Sequence, residues 1–315
     1  MAAYGEKGNS LATMQNLRRK YGDVFGFYIG SEKFIIISKF ELVRDLFKKD
    51  EVADRPPFEP YNETRPGHDF PGLDGCPPGI VFGKGRYWKD QRRFTLRHLR
   101  DFGFGKSSME GLLQEELEKF CHKLHEKSGT DLDLTGMLNI SILSSLWFIM
   151  TGEKLALDNT KLIEIVRLAN ALGRELIMSP PVSILLPDPG LAKLPILRDL
   201  SCFTLTKKAM DAVISLIRAA IGDHQQSFDS GMSRDFIDVY LKQIQDETDP
   251  TSSFYGKQGI DALTNVCIEL VMAGMDTTAT ALHWAFFFMA KYPEIQEKAQ
   301  NEIDQVTTTT PIHFQ

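Results

Sequence analysis

Apolar residues recur at every third or fourth position along most of the chain, which is the spacing of helices that bury one face. Residues 24–40 instead contain two apolar runs around Gly30 and Ser31, as expected for a β-hairpin. Two strands alone rarely form a stable sheet, and no further strand is predicted to complete this one. We therefore predict a mainly α fold with a small β-hairpin element near the N-terminus. The pattern predicts helices over residues 10–23, 40–50, 86–101, 109–127, 135–150, 160–178, 200–227, 233–248, 257–291 and 293–306. Ser233 and Asp235 are typical of a helix start, and Pro293 takes a first-turn position.

Three segments depart from the helical pattern. Residues 55–85 are rich in proline and glycine, and a loop of this length usually has a function such as that of a lid or a binding loop. Residues 179–200 contain five prolines and many aliphatic side chains. Residues 307–315 show no periodicity and are unlike the rest of the chain.

The composition excludes several classes of protein. With 43% hydrophobic and 25% charged residues, the chain has enough apolar material for a core, and its net charge of −6 argues against nucleic acid as the main partner. The four cysteines form no CxxC pair and no histidine cluster accompanies them, which argues against a zinc site. The most apolar uncharged run, residues 277–290, is shorter than the roughly 18 residues that span a bilayer. No membrane anchor is predicted.

The stretch VMAGMDTTAT, residues 271–280, places small side chains along one face of the longest predicted helix. One interpretation is close packing against another helix, and the other is a flat cofactor lying against Ala273 and Gly274. Thr277 can donate a hydrogen bond to the carbonyl group of Ala273, four residues earlier. Asp276 adds an ionisable group next to that hydroxyl, so the pair has the parts of a proton relay.

The stretch RYWKDQRRF, residues 86–94, places Trp88 and Arg92 four residues apart on one helix face. Both side chains are hydrogen-bond donors without acceptors, which suits a buried carboxylate such as a cofactor propionate. The alternative is a cation–π pair on the surface.

Eight lysine or arginine residues lie within residues 84–106, the first Lys84 and the last Lys106. This basic face is either a solvated helix surface or a docking face for an acidic partner.

These motifs together resemble those of the cytochrome P-450 haem-thiolate monooxygenases. The pattern A-G-x-D-T-T on a long helix, preceded by W-K-x-x-R-R-F, is similar to the animal microsomal branch, as are YGDVFGFYIG, ADRPPF and YPEIQEKAQNEIDQV. The resemblance implies a haem cofactor, a lipophilic small-molecule substrate and insertion of one oxygen atom from O2 into it. It also implies electrons from NADPH through a cytochrome reductase that docks on the basic face.

The resemblance also implies roles for individual residues. Thr277 corresponds to the oxygen-activating threonine and Asp276 to its acidic partner. Trp88, Arg92 and Arg65 correspond to positions that hold the haem propionates. Ala273 and Gly274 correspond to positions that lie against the haem face. The positions that match the substrate pocket are Ile80, Phe82, Ile268 and Thr278.

The family further implies the cytosolic face of the endoplasmic reticulum membrane, with residues 179–200 lying on the membrane surface. Without an N-terminal anchor, a location in the cytoplasm is the alternative. The cysteine loop F-x-x-G-x-x-x-C-x-G, which supplies the family's axial iron ligand, has no counterpart here, so we assign no metal ligand. We therefore expect residues 1–306 to be a partial cytochrome P-450 domain, truncated at both ends, and residues 307–315 to be a tail foreign to the family. The alternative to a monooxygenase is a catalytically inactive product of such a gene.

Overall fold

A computed structural model describes residues 10–29, 32–55, 64–70, 77–104, 109–132, 134–154, 158–160, 162–167, 170 and 203–309. The fold is mainly α with one two-stranded antiparallel sheet, which confirms the predicted fold class. In chain order the elements are α1 (Ser10–Tyr21), β1 (Val24–Ile29), β2 (Glu32–Ile37), α2 (Phe40–Leu46), α3 (Gly85–Asp101), α4 (Glu110–Glu126), α5 (Leu134–Thr151), α6 (Phe203–Gln226), α7 (Phe236–Asp246), α8 (Gly256–Lys291) and α9 (Pro293–Thr309).

The long helix α8 lies at the centre of the fold because its first half is apolar on most of its circumference. It packs against α5, α6 and α7, and side chains from all four helices form one core. In the second half of α8, from residue 280 onward, the side chains are mostly exposed. The middle of α8 therefore marks the border between the buried core and the surface. The largest fully buried side chains are Tyr240, Phe236, Leu143, Met150, Leu162, Met210, Ile217, Ile237, Leu263, Ile268 and Met275.

The hairpin pairs Val24 with Ile37 and continues in antiparallel register to Ile29 opposite Glu32. Phe27 and Phe34 stack across the two strands, with ring centroids 5.7 Å apart. Cross-strand aromatic pairs of this kind stabilise a two-stranded ribbon. Val24, Tyr28 and Ile35 are exposed, whereas Phe25 is buried, so the described part of the hairpin contributes one buried apolar side chain to the core.

Several predicted helix boundaries are confirmed. Asp235 caps α7, because its side chain accepts a hydrogen bond from the backbone N–H of Asp238. Pro293 begins α9, where its missing N–H costs nothing. Helix α9 continues to Thr309, three residues beyond the predicted end at residue 306, so the expected tail begins as a helix.

The remaining predictions concern loops and the membrane. In the predicted helix 160–178, residues 162–167 are helical, and residues 171–178 lie outside the described part. The proposed membrane-surface segment 179–200 also lies outside it. Among the helices of the described ranges, none combines the length and apolar character needed to cross a bilayer.

Candidate functional site

The middle of α8 presents Thr277 at the protein surface. Its hydroxyl donates a 2.7 Å hydrogen bond to the carbonyl oxygen of Ala273, which confirms the bond predicted from the sequence. Ala273 and Asp276 are exposed as well. The hydroxyl oxygen keeps lone pairs that can accept a further hydrogen bond, and Asp276 is the preceding residue of the helix.

The neighbouring small residues face a different direction. A side-chain β-carbon built on Gly274 would lie 2.8 Å from a methyl carbon of Leu146, so the glycine allows α5 to approach α8. The packing interpretation therefore accounts for Gly274. Together with Thr278, Gly274 lines a cavity of about 410 Å³ between α4, α5 and α8, whose other walls are almost entirely apolar.

Trp88 and Arg92 form the pair expected from their spacing. The indole N–H of Trp88 donates a 2.9 Å hydrogen bond to the carbonyl oxygen of Ile80, and the guanidinium carbon of Arg92 lies 5.6 Å from the centroid of the Trp88 ring. The pair thus makes the cation–π contact of the second interpretation, with Arg92 exposed at the surface. The interpretation as a propionate-binding pair stays a prediction. In this conformation the indole N–H of Trp88 is bonded to the loop before α3.

Glu269 is the site residue that sequence reasoning missed. Its carboxylate is 2% exposed and accepts hydrogen bonds from the backbone N–H groups of Ile80, at 2.6 Å, and Val81, at 3.0 Å. Burial raises the pKa of the Glu269 carboxyl group, whereas the charge of Arg65 and the backbone N–H groups lower it. No local signal could have identified this contact, since Glu269 and Ile80 are 189 positions apart.

The structure brings several of the predicted residues together around this carboxylate. Arg65 is buried, and its guanidinium carbon lies 5.9 Å from the centroid of the Phe82 ring. Ile80 packs against the core cluster that contains Ile268, which is fully buried. Thr277 lies eight residues beyond Glu269 on α8, about 12 Å along the helix axis. The candidates therefore form two adjacent groups, one around Glu269 and one around Thr277.

The basic face of α3 is partly neutralised. Lys89 contacts Asp50 at 2.6 Å, and Arg86 lies 3.5 Å from Asp90. Lys106 lies outside the described residues. Further along the helix, this face exposes Arg93, Arg97 and Arg100 around the half-exposed Leu96, with the acidic Asp101 at its end.

The described residues contain two other kinds of reactive side chain, cysteine thiols and a cluster of one histidine with two aspartates. Cys267 is buried, and burial raises the pKa of its thiol, whereas Cys121 is exposed; Cys76 and Cys202 lie outside the described residues. Within the described ranges, one cluster has the composition of a metal site: His224, Asp235 and Asp238.

Hydrogen bonds within that cluster favour a structural role over a metal site. His224 Nδ1 lies 2.7 Å from the carbonyl oxygen of Ala220, and its Nε2 lies 2.9 Å from a carboxylate oxygen of Asp235. Because both acceptors lack hydrogens, both ring nitrogens donate and the ring is positively charged. Arg234 binds Asp238 through two nitrogens. The carboxylates thus already have cationic partners.

Comparison with known proteins places the chain in a family. The family profile described as Cytochrome P450 matches residues 1–314. Cytochrome P450 2J2 of Homo sapiens is 31% identical over 298 residues, which are 91% of this chain and 54% of that protein. Cytochrome P450 2L1 of Panulirus argus is 29% identical over 302 residues, 92% of this chain and 57% of that protein.

A third relative, Cytochrome P450 18a1 of Drosophila melanogaster, is 27% identical over 305 residues, which are 92% of this chain and 52% of the relative. The chain thus spans a little over half the length of these relatives. Since the profile covers nearly all of its residues and the relatives agree with it, the chain belongs to the cytochrome P450 family.

Proposed function

We propose that this chain carries the oxygen-activating residues of a haem-dependent monooxygenase, an enzyme that inserts one oxygen atom from O2 into a lipophilic small molecule. The observation that carries the proposal is the exposed hydroxyl of Thr277, bonded to the Ala273 carbonyl in the middle of the central helix. A threonine held in this way presents its oxygen in one orientation at the surface of the helix, beside an exposed carboxylate.

The side chains of two groups of residues suit one face and one edge of a flat, carboxylate-bearing group. Ala273 and Thr277 offer a low, exposed surface on α8, and Arg92 offers an exposed guanidinium group on α3. Trp88 would assist Arg92 in holding a propionate once its N–H leaves the Ile80 carbonyl, and Arg65 adds a buried positive charge. Bound haem supplies the oxygen-activating chemistry. Gly274 contributes through helix packing, which brings α5 close to this part of α8.

Thr277 and Asp276 have the chemistry to move a proton. When the Thr277 hydroxyl turns away from the Ala273 carbonyl, it can donate its proton on the exposed side of α8 while its oxygen accepts a proton from solvent or from Asp276 in the same step. An exposed carboxylate exchanges protons with water readily, which is the property that a relay needs at its outer end.

The substrate would lie against the loop segment that Glu269 holds. Ile80 and Phe82 provide apolar surface there, and Ile268 lies in the core cluster beneath them. Thr278 lines the cavity between α4, α5 and α8, whose surface is almost entirely apolar, and we assign it to the substrate as a second apolar surface. Apolar walls with few polar groups suit lipophilic ligands.

The basic face is the proposed docking site for an NADPH-dependent cytochrome reductase. Arg93, Arg97 and Arg100 surround Leu96, and such an apolar centre with a charged rim is common in protein interfaces. The proposal includes the family's location on the cytosolic side of the endoplasmic reticulum membrane. It also treats residues 1–306 as one partial domain of the family.

Haem titration tests the proposal directly. The full chain is titrated with haem, and the Soret absorbance is recorded for the unaltered protein and for Arg92→Ala. Loss of one charge-assisted hydrogen bond should weaken haem binding roughly tenfold to a hundredfold. Arg93→Ala is the matched control, because it removes an equally exposed arginine from the next position of α3. Equal affinity of all three proteins for haem would contradict the assignment of Arg92.

A second proposal is that the 315-residue chain has no turnover of its own. It is favoured by apolar side chains exposed along the second half of α8 and on α9, which a folded domain ordinarily covers. They are Leu282, Trp284, Phe287, Phe288, Ile303 and Val306. The carbon-monoxide difference spectrum of the reduced, haem-loaded chain distinguishes the two proposals. A thiolate-type Soret band would favour the active enzyme, and its absence would favour the inactive product.

A further inference from the structure

Polar residues form a row along the first half of α8, at positions 261, 265 and 269. Residues four apart in a helix are neighbours on its surface, so Asp261, Asn265 and Glu269 follow one another along the helix. All three are buried, although polar side chains in a helix usually face water. Their burial therefore calls for partners from another part of the chain.

Asp261 lies 3.4 Å from Arg218 of α6 and 3.8 Å from Lys257 of its own helix. The partners of Asn265 and Glu269 come from the loop between the hairpin region and α3. Asn265 is fully buried, and its amide nitrogen donates a 2.7 Å hydrogen bond to the carbonyl oxygen of Pro66. At the next residue, Gly67, a β-carbon would lie 3.2 Å from the β-carbon of Asp261. The ammonium group of Lys257, one turn earlier, lies 5.7 Å from the centroid of the Phe70 ring. Residues 64–70 thus lie directly on the polar row.

Glu269 holds the second described segment of the same loop. One of its carboxylate oxygens accepts both N–H groups, from Ile80 and Val81. Gly79 shows how closely the backbone approaches, because a β-carbon there would lie 2.7 Å from each carboxylate oxygen. A side chain larger than hydrogen at position 79 would therefore force the loop away from the helix.

We propose that Asn265 and Glu269 are positioning residues that hold the two loop segments 64–70 and 77–84 against α8 and thereby set the shape of the substrate pocket. Asn265 holds the first segment through a carbonyl group, and Glu269 holds the second through two N–H groups. The part that concerns the substrate rests on the proposed function, because it takes Ile80 and Phe82 as pocket walls. The attachment of the loop itself does not depend on haem.

Two substitutions of similar size separate hydrogen bonding from packing. Glu269→Gln keeps an oxygen acceptor for the Ile80 and Val81 N–H groups, whereas Glu269→Leu fills similar space without one. Amide hydrogen exchange of a peptide covering residues 77–84 is measured by mass spectrometry in the full chain. We expect exchange to quicken by about tenfold or more in Glu269→Leu, the factor for one lost charge-assisted hydrogen bond, and by clearly less in Glu269→Gln.

The same exchange experiment is applied to a control variant and to a second loop segment, residues 64–70. Glu116→Leu removes another buried glutamate, on α4, and should leave exchange in residues 77–84 unchanged. Asn265→Leu should quicken exchange in residues 64–70 more than in residues 77–84. Equal exchange in Glu269→Gln and Glu269→Leu would overturn the proposal, because packing alone would then explain the contact.

The effect of Glu269 on the substrate pocket is measured separately, in the haem-loaded chain. Binding of the lipophilic probe 4-phenylimidazole is followed by the shift of the Soret band. We expect Glu269→Leu to change the dissociation constant of the probe at least severalfold, while haem affinity stays the same. An altered loop with unchanged probe binding would overturn the pocket assignment. Failure of every variant to bind haem would count against the proposed function, and the exchange data would still decide the loop attachment.

Discussion

Tyr240 and Gln91 form a buried hydrogen bond that links α7 to the helix carrying the basic face. The Tyr240 hydroxyl donates to the side-chain oxygen of Gln91 at 2.5 Å, and the Gln91 amide nitrogen donates to the hydroxyl of Ser253 at 3.0 Å. Both Tyr240 and Gln91 are fully buried. The positions of Arg92 and Trp88, the neighbouring candidates on α3, therefore depend on a polar contact in the core.

Breaking this contact on one side should destabilise the protein. Tyr240→Phe leaves the buried Gln91 oxygen without its donor, which should cost about 1–3 kcal/mol of unfolding free energy. Chemical denaturation gives this value. The double variant with Gln91→Leu should cost less than the sum of the two single changes, since no polar atom of the pair then remains buried alone. Simple additivity of the two changes would contradict the predicted coupling.

The stability of the chain should fall as the pH rises past neutrality. Hydrogen bonding to Asp235 raises the pKa of His224 from its ordinary 6.5 to about 8. The folded chain thus binds the His224 proton more tightly than the unfolded chain does. The resulting stabilisation, roughly 2 kcal/mol, is fully present below pH 6.5 and is lost as the pH rises through 8.

Denaturation curves between pH 6 and 9 measure this effect. The variant His224→Gln should lose most of the dependence on pH in that range. His122→Gln is the control, because His122 lies exposed on α4 beside Glu126. A pH dependence that survives in His224→Gln would show that another group is responsible.

Two glycines in helices should respond to alanine in opposite directions. A β-carbon on Gly259 would lie 2.3 Å from the backbone carbonyl oxygen of Phe254, so Gly259→Ala must displace the chain before α8 and should cost about 1–3 kcal/mol. Gly222 has nothing within 4 Å of that position, and Gly222→Ala should stabilise α6 by roughly 0.5–1 kcal/mol. Thermal unfolding of both variants checks the prediction, and a stabilising Gly259→Ala would contradict the geometry at the start of α8.

Removing the hydroxyl of Thr277 should affect catalysis much more than folding. Thr277→Val keeps the shape of the side chain and loses a bond that is exposed to solvent, so the unfolding free energy should change by less than about 1 kcal/mol. In a haem-loaded, active protein, loss of a group that moves protons should lower product formation by about 10²-fold. Thr277→Ser keeps the hydroxyl and should retain much of the activity. Equal product formation by the valine and serine variants would remove Thr277 from the proposed relay.

The features that could be predicted from the sequence are local ones. The bounds of α8, the cap at Asp235 and the Thr277–Ala273 bond follow from side-chain spacing within a few residues, and the structure confirms all three. The Trp88–Arg92 contact was predicted for the same reason, as one of two alternatives.

The contacts that could not be predicted join residues that are far apart in the chain. Glu269 reaches Ile80 and Val81 across more than half of the sequence, and its burial becomes clear only when the loop is seen on α8. Nothing in the pattern at Trp88 shows that its N–H donates to Ile80. Helical periodicity identifies which side of a helix is apolar, but the partners of buried polar groups depend on how distant segments meet.

Glu269, which binds the loop, and Thr277 lie on the same helix, so the helix fixes the separation between these two parts of the candidate site. Helix geometry alone separates Glu269 from Thr277 by about 12 Å along the axis and about 80° around it. Inserting one residue between them would turn Thr277 by about 100° relative to the loop and advance it by about 1.5 Å. The length of this segment of α8 thus sets the distance between the proposed pocket wall and the hydroxyl that we propose to move protons, and insertions or deletions within it should be tolerated far less well than changes of side chain.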